Sequence, residues 1–245
     1  MTHLLIDGDL LLYRAASACE TEVDWGDGLW VLHGNLTEAI NLVEQSIASI
    51  TTSLGGTSIT LCLSDRSNFR KTLTDTYKAG RKGTRKPVVY GNLFNWSVEN
   101  LKPVIKPTLE ADDTIGLLAT HPDFKGIVVS EDKDMQTLAC TLYKGGQLTT
   151  ITPEMADRFW MIQTLTGDAT DGYKGVTGVG PKTAEKLLTG KTLRENWPHV
   201  VNAYRRVKMT EEDALLSARL ARILRHGDYN EETQEVRLWS PSMIT

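Results

Sequence analysis

Three short apolar runs in this chain each lead straight into an aspartate. They are residues 3–7 (HLLID), residues 58–63 followed by Asp65 (SITLCLSD), and residues 127–130 followed by Asp132 and Asp134 (IVVSEDKD). Runs this short read as strands. The stretches between and around them have other periods. Residues 10–18 read as a helix. Residues 36–53 place Leu36, Ile40, Val43, Ile47 and Ile50 at helical spacing and stop at Gly55-Gly56. Asp27-Gly28 between Trp25 and Trp30 suggests a tight-turned hairpin over residues 23–32, and Gly145-Gly146 breaks a second one over residues 142–151. The segment DMQTLA after the third strand looks helical. Strands alternating with helices predict an α/β fold with a mostly parallel central sheet flanked by helices. From Thr152 onward the pattern turns helical, over residues 153–165, 181–188 and 211–224, with a late strand at 236–239. The expected organisation is therefore an α/β core in residues 1–150 and a helical subdomain in residues 151–245.

In open parallel sheets the functional face lies beyond the carboxyl ends of the strands. Asp7, Asp65, Asp132 and Asp134 fall at such ends. Glu110, Asp112 and Asp113 open a helix after Pro107, and Asp168 and Asp171 close the helix ahead of a glycine-rich stretch. Asp132 and Asp134 point to one side if the chain there is extended. Glu110 and Asp113, and likewise Asp168 and Asp171, share a face if their turns are helical. Nine carboxylates gathered at one place repel one another. Hard divalent cations relieve this, so the expected ligands are two Mg²⁺ ions, with Mn²⁺ able to substitute; such a pair can activate water against a phosphodiester. Asp9 reads as the N-cap of the helix over residues 10–18 rather than as a ligand.

The stretch Gly175-Val176-Thr177-Gly178-Val179-Gly180-Pro181-Lys182 is not a dinucleotide fingerprint. Pro181 stands where an ATP-binding loop needs lysine, which excludes that reading. It fits a helix–hairpin–helix over residues 165–190: the glycines permit the turn, Pro181 starts the next helix, and the exposed N–H groups there can grip a DNA phosphate. The net charge of −4 argues by itself against nucleic acid. The distribution argues otherwise, because residues 66–86 hold eight basic residues and one acid, Asp75. In the span 71–101, Lys78 and Arg81 suit phosphate contact, whereas Phe94 and Trp96 suit core packing. Cys19, Cys62 and Cys140 show no disulfide or zinc spacing and suit a reducing cytoplasm. Residues 1–7 are too short for a signal peptide, and no apolar run approaches the roughly 20 residues that span a bilayer, so no membrane partner is expected.

In order, the segments IDGDLLLYR, LSDRSNFRKTLTDTYKAGRK, EADD, SEDKDMQTL and GDATDGYKGVTGVGPKTAEKLL resemble the FEN-type 5′-nucleases, the flap endonucleases and polymerase 5′-nuclease domains. They are most similar to the short bacteriophage 5′→3′ exonucleases, over residues 3–190. The resemblance implies a PIN-like core with an arch, residues 71–101, above a two-metal site. Asp7, Asp65, Glu110 and Asp112 would serve the first ion, with Asp113 beside them in the catalytic set. Asp132, Asp134, Asp168 and Asp171 would serve the second. Lys78 and Arg81 would contact the scissile phosphate. Arg14, Arg70 and Tyr77, with Gly178, Gly180, Lys182 and Thr183, would contact DNA. Carbonyls of Leu165, Thr166, Lys174, Val176 and Val179 would hold a K⁺. The implied substrates are double-stranded DNA with 5′ ends, nicks or flaps, and RNA–DNA hybrids, during replication in a bacterial host's cytoplasm. Asp9 and the Trp25–Trp30 hairpin lie outside the shared pattern. Two alternatives stay open at this point: a PIN-like ribonuclease on single-stranded RNA, and a DNA-binding protein without catalysis.

Overall fold

A computed structural model describes residues 2–244. The elements, in order, are β1 (Thr2–Asp7), α1 (Gly8–Ala18), β2 (Glu20–Asp24), β3 (Trp30–Gly34), α2 (Leu36–Ser53), β4 (Gly56–Cys62), α3 (Arg70–Leu73), α4 (Tyr90–Leu101), α5 (Ala111–Ala119), β5 (Gly126–Val129), β6 (Thr141–Lys144) and β7 (Gln147–Thr150). There follow α6 (Pro153–Thr166), β8 (Gly167–Asp168), β9 (Tyr173–Lys174), α7 (Pro181–Leu187), α8 (Leu193–Arg206), α9 (Glu211–Ala221), β10 (Tyr229–Asn230) and β11 (Glu235–Val236). The main sheet runs β4-β1-β5-β6-β7, and only the β6–β7 hairpin is antiparallel. Among the described residues no helix is long and apolar enough to cross a membrane.

The two-residue period of β1 decides what lies on each face of the sheet. Leu4 and Ile6 pack with Leu61, Val129 and the α2 residues Ile47 and Ile50. Leu5 points the other way, into a cluster with Val128 and Ile115 of α5. The chain leaves β1 through α1 and α2 to reach β4, then recrosses with α5 on the opposite face to reach β5. The direction of winding thus reverses next to β1, and the open ends of β4, β1 and β5 meet at that switch. Gly8 follows immediately: a Cβ there would lie 2.7 Å from the Cys62 carbonyl oxygen, so α1 can start hard against β4 only with glycine.

Several local expectations change. The first hairpin turns through a five-residue loop at 25–29 rather than a tight turn, with Gly26, Asp27 and Gly28 all at positive φ. DMQTLA is a short 3₁₀ turn, Lys133–Thr137, because Asp132 caps it by accepting the Asp134 N–H at 2.8 Å. The third expected C-terminal helix ends at Ala221, and the late strand is only Glu235–Val236. Residues 90–101 of the arch-like span form α4, with Leu93 and Tyr90 in the α1/α2 cluster and Phe94 and Trp96 packed against it. Helix α8 was not anticipated, although Thr192 and Glu195 form a capping box at its start. It supplies Trp197, Val200, Val201 and Tyr204 to a core shared with Trp160 and Trp239. Both Trp160 and Trp197 meet Trp239 edge-on, with centroids 4.8 and 4.9 Å away.

Candidate active site

At the sheet switch lies a cavity of about 740 Å³. Asp7, Glu110, Asp112, Asp132, Asp134, Asp168 and Asp171 line it, as do Asp9, Glu131 and the cations Arg14, Arg70, Lys78, Arg81, Arg85, Lys86 and Lys133. Seven of the nine expected carboxylates therefore meet. Asp7 ends β1, accepts the Leu10 N–H at 3.2 Å and the Ser130 hydroxyl at 2.7 Å, and is itself the cap of α1. Asp9 is consequently not the N-cap. It sits in the first helical turn and accepts the Ser64 hydroxyl and, at 3.2 Å, the Ser64 N–H. Glu131, which accepts the Gly145 N–H at 3.0 Å, was overlooked inside the SEDKD run. Lys133 was overlooked as well; it donates to Asp168 at 2.8 Å.

The loop carrying Asp168 and Asp171 is not helical. It joins the two-residue strands β8 and β9, and Asp168 accepts the N–H groups of Thr170 and Asp171 at 2.8 and 3.1 Å. The arch docks onto this loop. The Lys78 N–H donates to the Asp171 carbonyl at 2.7 Å, and Gly172, at φ +77°, leaves room for the Thr76 carbonyl, which a Cβ would approach to 2.3 Å. Lys78 itself adopts φ 53°, ψ 21°, a left-handed conformation that surrounding contacts must hold. Its ammonium binds Glu110 and lies 3.9 Å from Asp171, while Arg81 reaches Asp171 at 2.8 Å.

Electrostatics divides the carboxylates into two groups. Burial, reinforced by Asp9 and Asp132, pushes Asp7 up to about 6. Burial and the nearby Asp7, Asp132 and Glu110 push Asp112 well above the usual carboxylate range. Burial and Asp132 push Asp134 up to about 6, although Gln163 donates to it at 2.5 Å. Glu110 is also buried, but Lys78 and Arg70 overcome that and hold it at about 2. Asp168 is lowered because the Lys133 contact outweighs its burial. Asp7, Asp112 and Asp134 are thus short of positive charge, next to Glu110 and Asp168, whose cations are already supplied. The cavity lining contains oxygen donors and no His or Cys, a donor chemistry that fits hard divalent cations. Among the described residues no three His, Cys, Asp or Glu stand tightly enough together to hold an ion, and Lys78 and Lys133 are seated on Glu110 and Asp168.

Of the other expected site residues, Asp65 and Asp113 lie outside the cavity, whereas Arg70 and Tyr77 line it with their polar groups already engaged. Asp65 turns away from the cavity, accepting the Ser67 hydroxyl at 2.5 Å and the Thr108 N–H at 2.8 Å, so it fastens two loops together. Asp113 is fully buried and holds Arg70 through contacts of 2.6 and 2.7 Å, as well as the Leu224 N–H at 3.1 Å. Arg70 lines the cavity but is only 3% exposed, and it also donates to the carbonyls of Leu220 and Arg222 at 3.1 and 2.5 Å. Tyr77 cannot stack on a base, because its ring is buried in the C-terminal core and its hydroxyl donates to Glu110 at 2.7 Å. In the glycine-rich turn, Gly178 (φ +80°), Gly180, Lys182 and Thr183 are exposed at the start of α7. Of the carbonyls proposed for K⁺, those of Leu165, Lys174 and Val176 already accept the Val176 N–H, the Ser217 hydroxyl and the Val179 N–H, leaving each one lone pair. Thr166 and Val179 flank them.

A mostly parallel sheet with an acidic cavity at its switch, backed by helices, is the fold of the FEN-type nucleases. The flap endonuclease of bacteriophage T5, in a pseudo-enzyme–product complex with DNA and metal ions, superposes with a TM-score of 0.62 at 16% identity over 90% of this chain and 89% of that one. In sequence, the exonuclease of Escherichia phage T7 is 32% identical over 97% of this chain and 93% of its own length. The exodeoxyribonuclease of Enterobacteria phage T3 is 32% identical over 97% and 92%. A family model described as "5′-3′ exonuclease, N-terminal resolvase-like domain" matches residues 2–159. The chain belongs to this 5′–3′ exonuclease family of nuclease enzymes.

Proposed function

We propose that this nuclease is a divalent-metal-dependent 5′→3′ exonuclease with structure-specific flap endonuclease capacity. Its substrates are phosphodiester bonds of duplex DNA at 5′ ends, nicks or flaps, and of RNA–DNA hybrids, during replication. The observation that carries the reading is the meeting of seven widely separated carboxylates with Lys78 and Arg81 in one cavity. The T7 and T3 relatives named for exonuclease activity support it across nearly the whole chain. A single-stranded ribonuclease would have no use for the exposed turn before α7, which suits the backbone of a duplex.

Asp7, Glu110, Asp112, Asp132, Asp134, Asp168 and Asp171 would hold two Mg²⁺ ions, with Mn²⁺ as substitute. When bound, such ions supply water activated for attack and neutralise charge on the phosphate. The chain's own residues do the rest. Arg81 and Lys78 reach into the cavity from the arch, and their charge favours the phosphate as negative charge builds on it. To do this, Lys78 must leave Glu110. Arg14, exposed at the rim, steers the backbone inward. The N–H groups before α7, with Lys182 and Thr183, fix duplex position without reading sequence. A K⁺ at Thr166 and Val179, using the second lone pairs of Leu165, Lys174 and Val176, would extend that grip. Product sizing on 5′-labelled flap, nicked and hybrid substrates tests the proposal: cleavage is expected with Mg²⁺ and lost with EDTA. Hydrolysis that survives chelation overturns it.

A further inference from the structure

Asp134 is held differently from Glu110 and Asp168, which share the cavity with it. Lys78 binds Glu110 and Lys133 binds Asp168 at 2.8 Å, so each of those acids carries a cation. Asp134 takes none. Among the described residues its side chain accepts one hydrogen bond, from the Gln163 amide at 2.5 Å. A carboxylate needs a donor, which fixes the amide with its nitrogen toward Asp134. The bond uses Oδ1 and leaves Oδ2 without a protein partner, in a residue that lines the cavity. The Asp134 backbone is fixed as well. Its N–H donates to Asp132 Oδ1 at 2.8 Å, and its carbonyl accepts the Thr137 hydroxyl at 2.8 Å.

Gln163 stands on α6, whose orientation is set by the C-terminal helices. The Trp160 indole N–H donates to the Ala218 carbonyl at 2.8 Å, and the Tyr204 hydroxyl donates to the Thr164 carbonyl at 2.7 Å. Earlier in the same helix Ala156 packs with Met135 and Leu138, which seats the turn carrying Asp134. Stability does not favour an amide at this place. Gln163 is 6% exposed, and its carbonyl oxygen is buried with no donor among the described residues. Such an orphan destabilises, so an apolar side chain of the same length would suit the interior better. What the amide supplies is its bond to Asp134. A lysine or arginine there would neutralise the carboxylate, whereas an amide orients it and adds no charge. We propose that Gln163 is a positioning residue for the metal site, turning Asp134 so that its free oxygen faces the place of the second ion. This rests on the two-metal reading above. It also puts a contact of the site beyond residue 159, where the segment matching the family model ends.

The test follows Mn²⁺ binding to the full chain by calorimetry, without DNA. The proteins are wild type, Gln163→Met, Gln163→Asn, Asp134→Asn, and Gln163→Met combined with Asp134→Asn. Methionine keeps the length and loses the donor; asparagine keeps the amide but falls one carbon short. Wild type is expected to bind two ions. Both Gln163 variants are expected to weaken one of them about 10- to 100-fold, the usual reach of an outer hydrogen-bond partner, and to leave the other unchanged. Cleavage by Gln163→Met should need about 10- to 100-fold more Mg²⁺ for its half-maximal rate and return near the wild-type rate at saturation. Its melting temperature in EDTA is expected near or above wild type, since the orphaned oxygen is gone. On the Asp134→Asn background, Gln163→Met is expected to weaken the remaining ion no further, because the two residues act through one contact. Intact affinity for both ions in Gln163→Met overturns the proposal and leaves the two-metal reading standing, above all if melting falls, which marks a structural role. A further loss in the double variant overturns it too. A wild type that binds no Mn²⁺ overturns both.

Discussion

Asp112 and Asp113 are neighbours in the first turn of α5, and they serve two different regions. Asp112 faces the cavity, where Asp7, Asp132 and Glu110 crowd it. Asp113 faces the interior, where Arg70 meets both of its oxygens and the Leu224 N–H caps it. On the cavity side negative charge exceeds what the protein's own cations can balance, which a catalytic metal site requires and stability does not. On the interior side every charge is matched, and the pair secures the base of the arch to the C-terminal segment. A cavity-facing and a core-facing carboxylate are thus separated by a single step along the chain.

The largest expected effect comes from the cavity side. Asp112→Asn should reduce Mg²⁺-dependent cleavage by about 10³-fold or more, given what metal activation contributes, while melting in EDTA is no lower than wild type. A cleavage rate near wild type breaks the comparison. Next, Lys78→Ala should slow single-turnover cleavage at saturating enzyme by about 10²-fold, the order of one lost transition-state charge contact, with little change in DNA affinity; an effect confined to affinity would place Lys78 in binding alone. On the interior side, Asp113→Asn leaves Arg70 buried beside a neutral partner. A broken buried pair costs about 3–5 kcal/mol, which denaturant unfolding would register, and any cleavage lost should return at lower temperature. If Asp113→Asn melts like Asp112→Asn, the two regions are not distinct. The smallest effect is at the duplex grip: Lys182→Ala should weaken binding a few-fold and lower the salt slope by about 1, and an unchanged slope removes Lys182 from the interface.

The strand-end aspartates were legible because a parallel sheet gathers the carboxyl ends of adjacent strands, and each apolar run marks its own end. Asp7, Asp132 and Asp134 follow from that alone, and the alternation of strands and helices gave the layering. Direction within a run was not legible. Successive helical residues point about 100° apart, so EADD does not reveal that Asp112 enters the cavity and Asp113 the core; that depends on how α5 packs beneath Leu5 and Val128. Asp65 was misjudged because its side chain is captured by Ser67 and Thr108, partners set by a loop conformation. Arg70 and Tyr77 sit in a basic stretch whose composition suggests surface, yet their acceptors are up to 152 residues away in sequence. Helix α8 had a readable capping box, but Pro198 within it reads as a helix breaker.

The reach of Arg70 to the carbonyls of Leu220 and Arg222 bears on how this molecule can be dissected. The segment that matches the family model stops at residue 159. A fragment cut there would strip a buried guanidinium of two acceptors and Asp113 of a donor, exposing at the same time the aromatic wall that encloses Tyr77. Residues 2–159 are therefore not a removable module, because their floor is completed by the backbone of Leu220, Arg222 and Leu224.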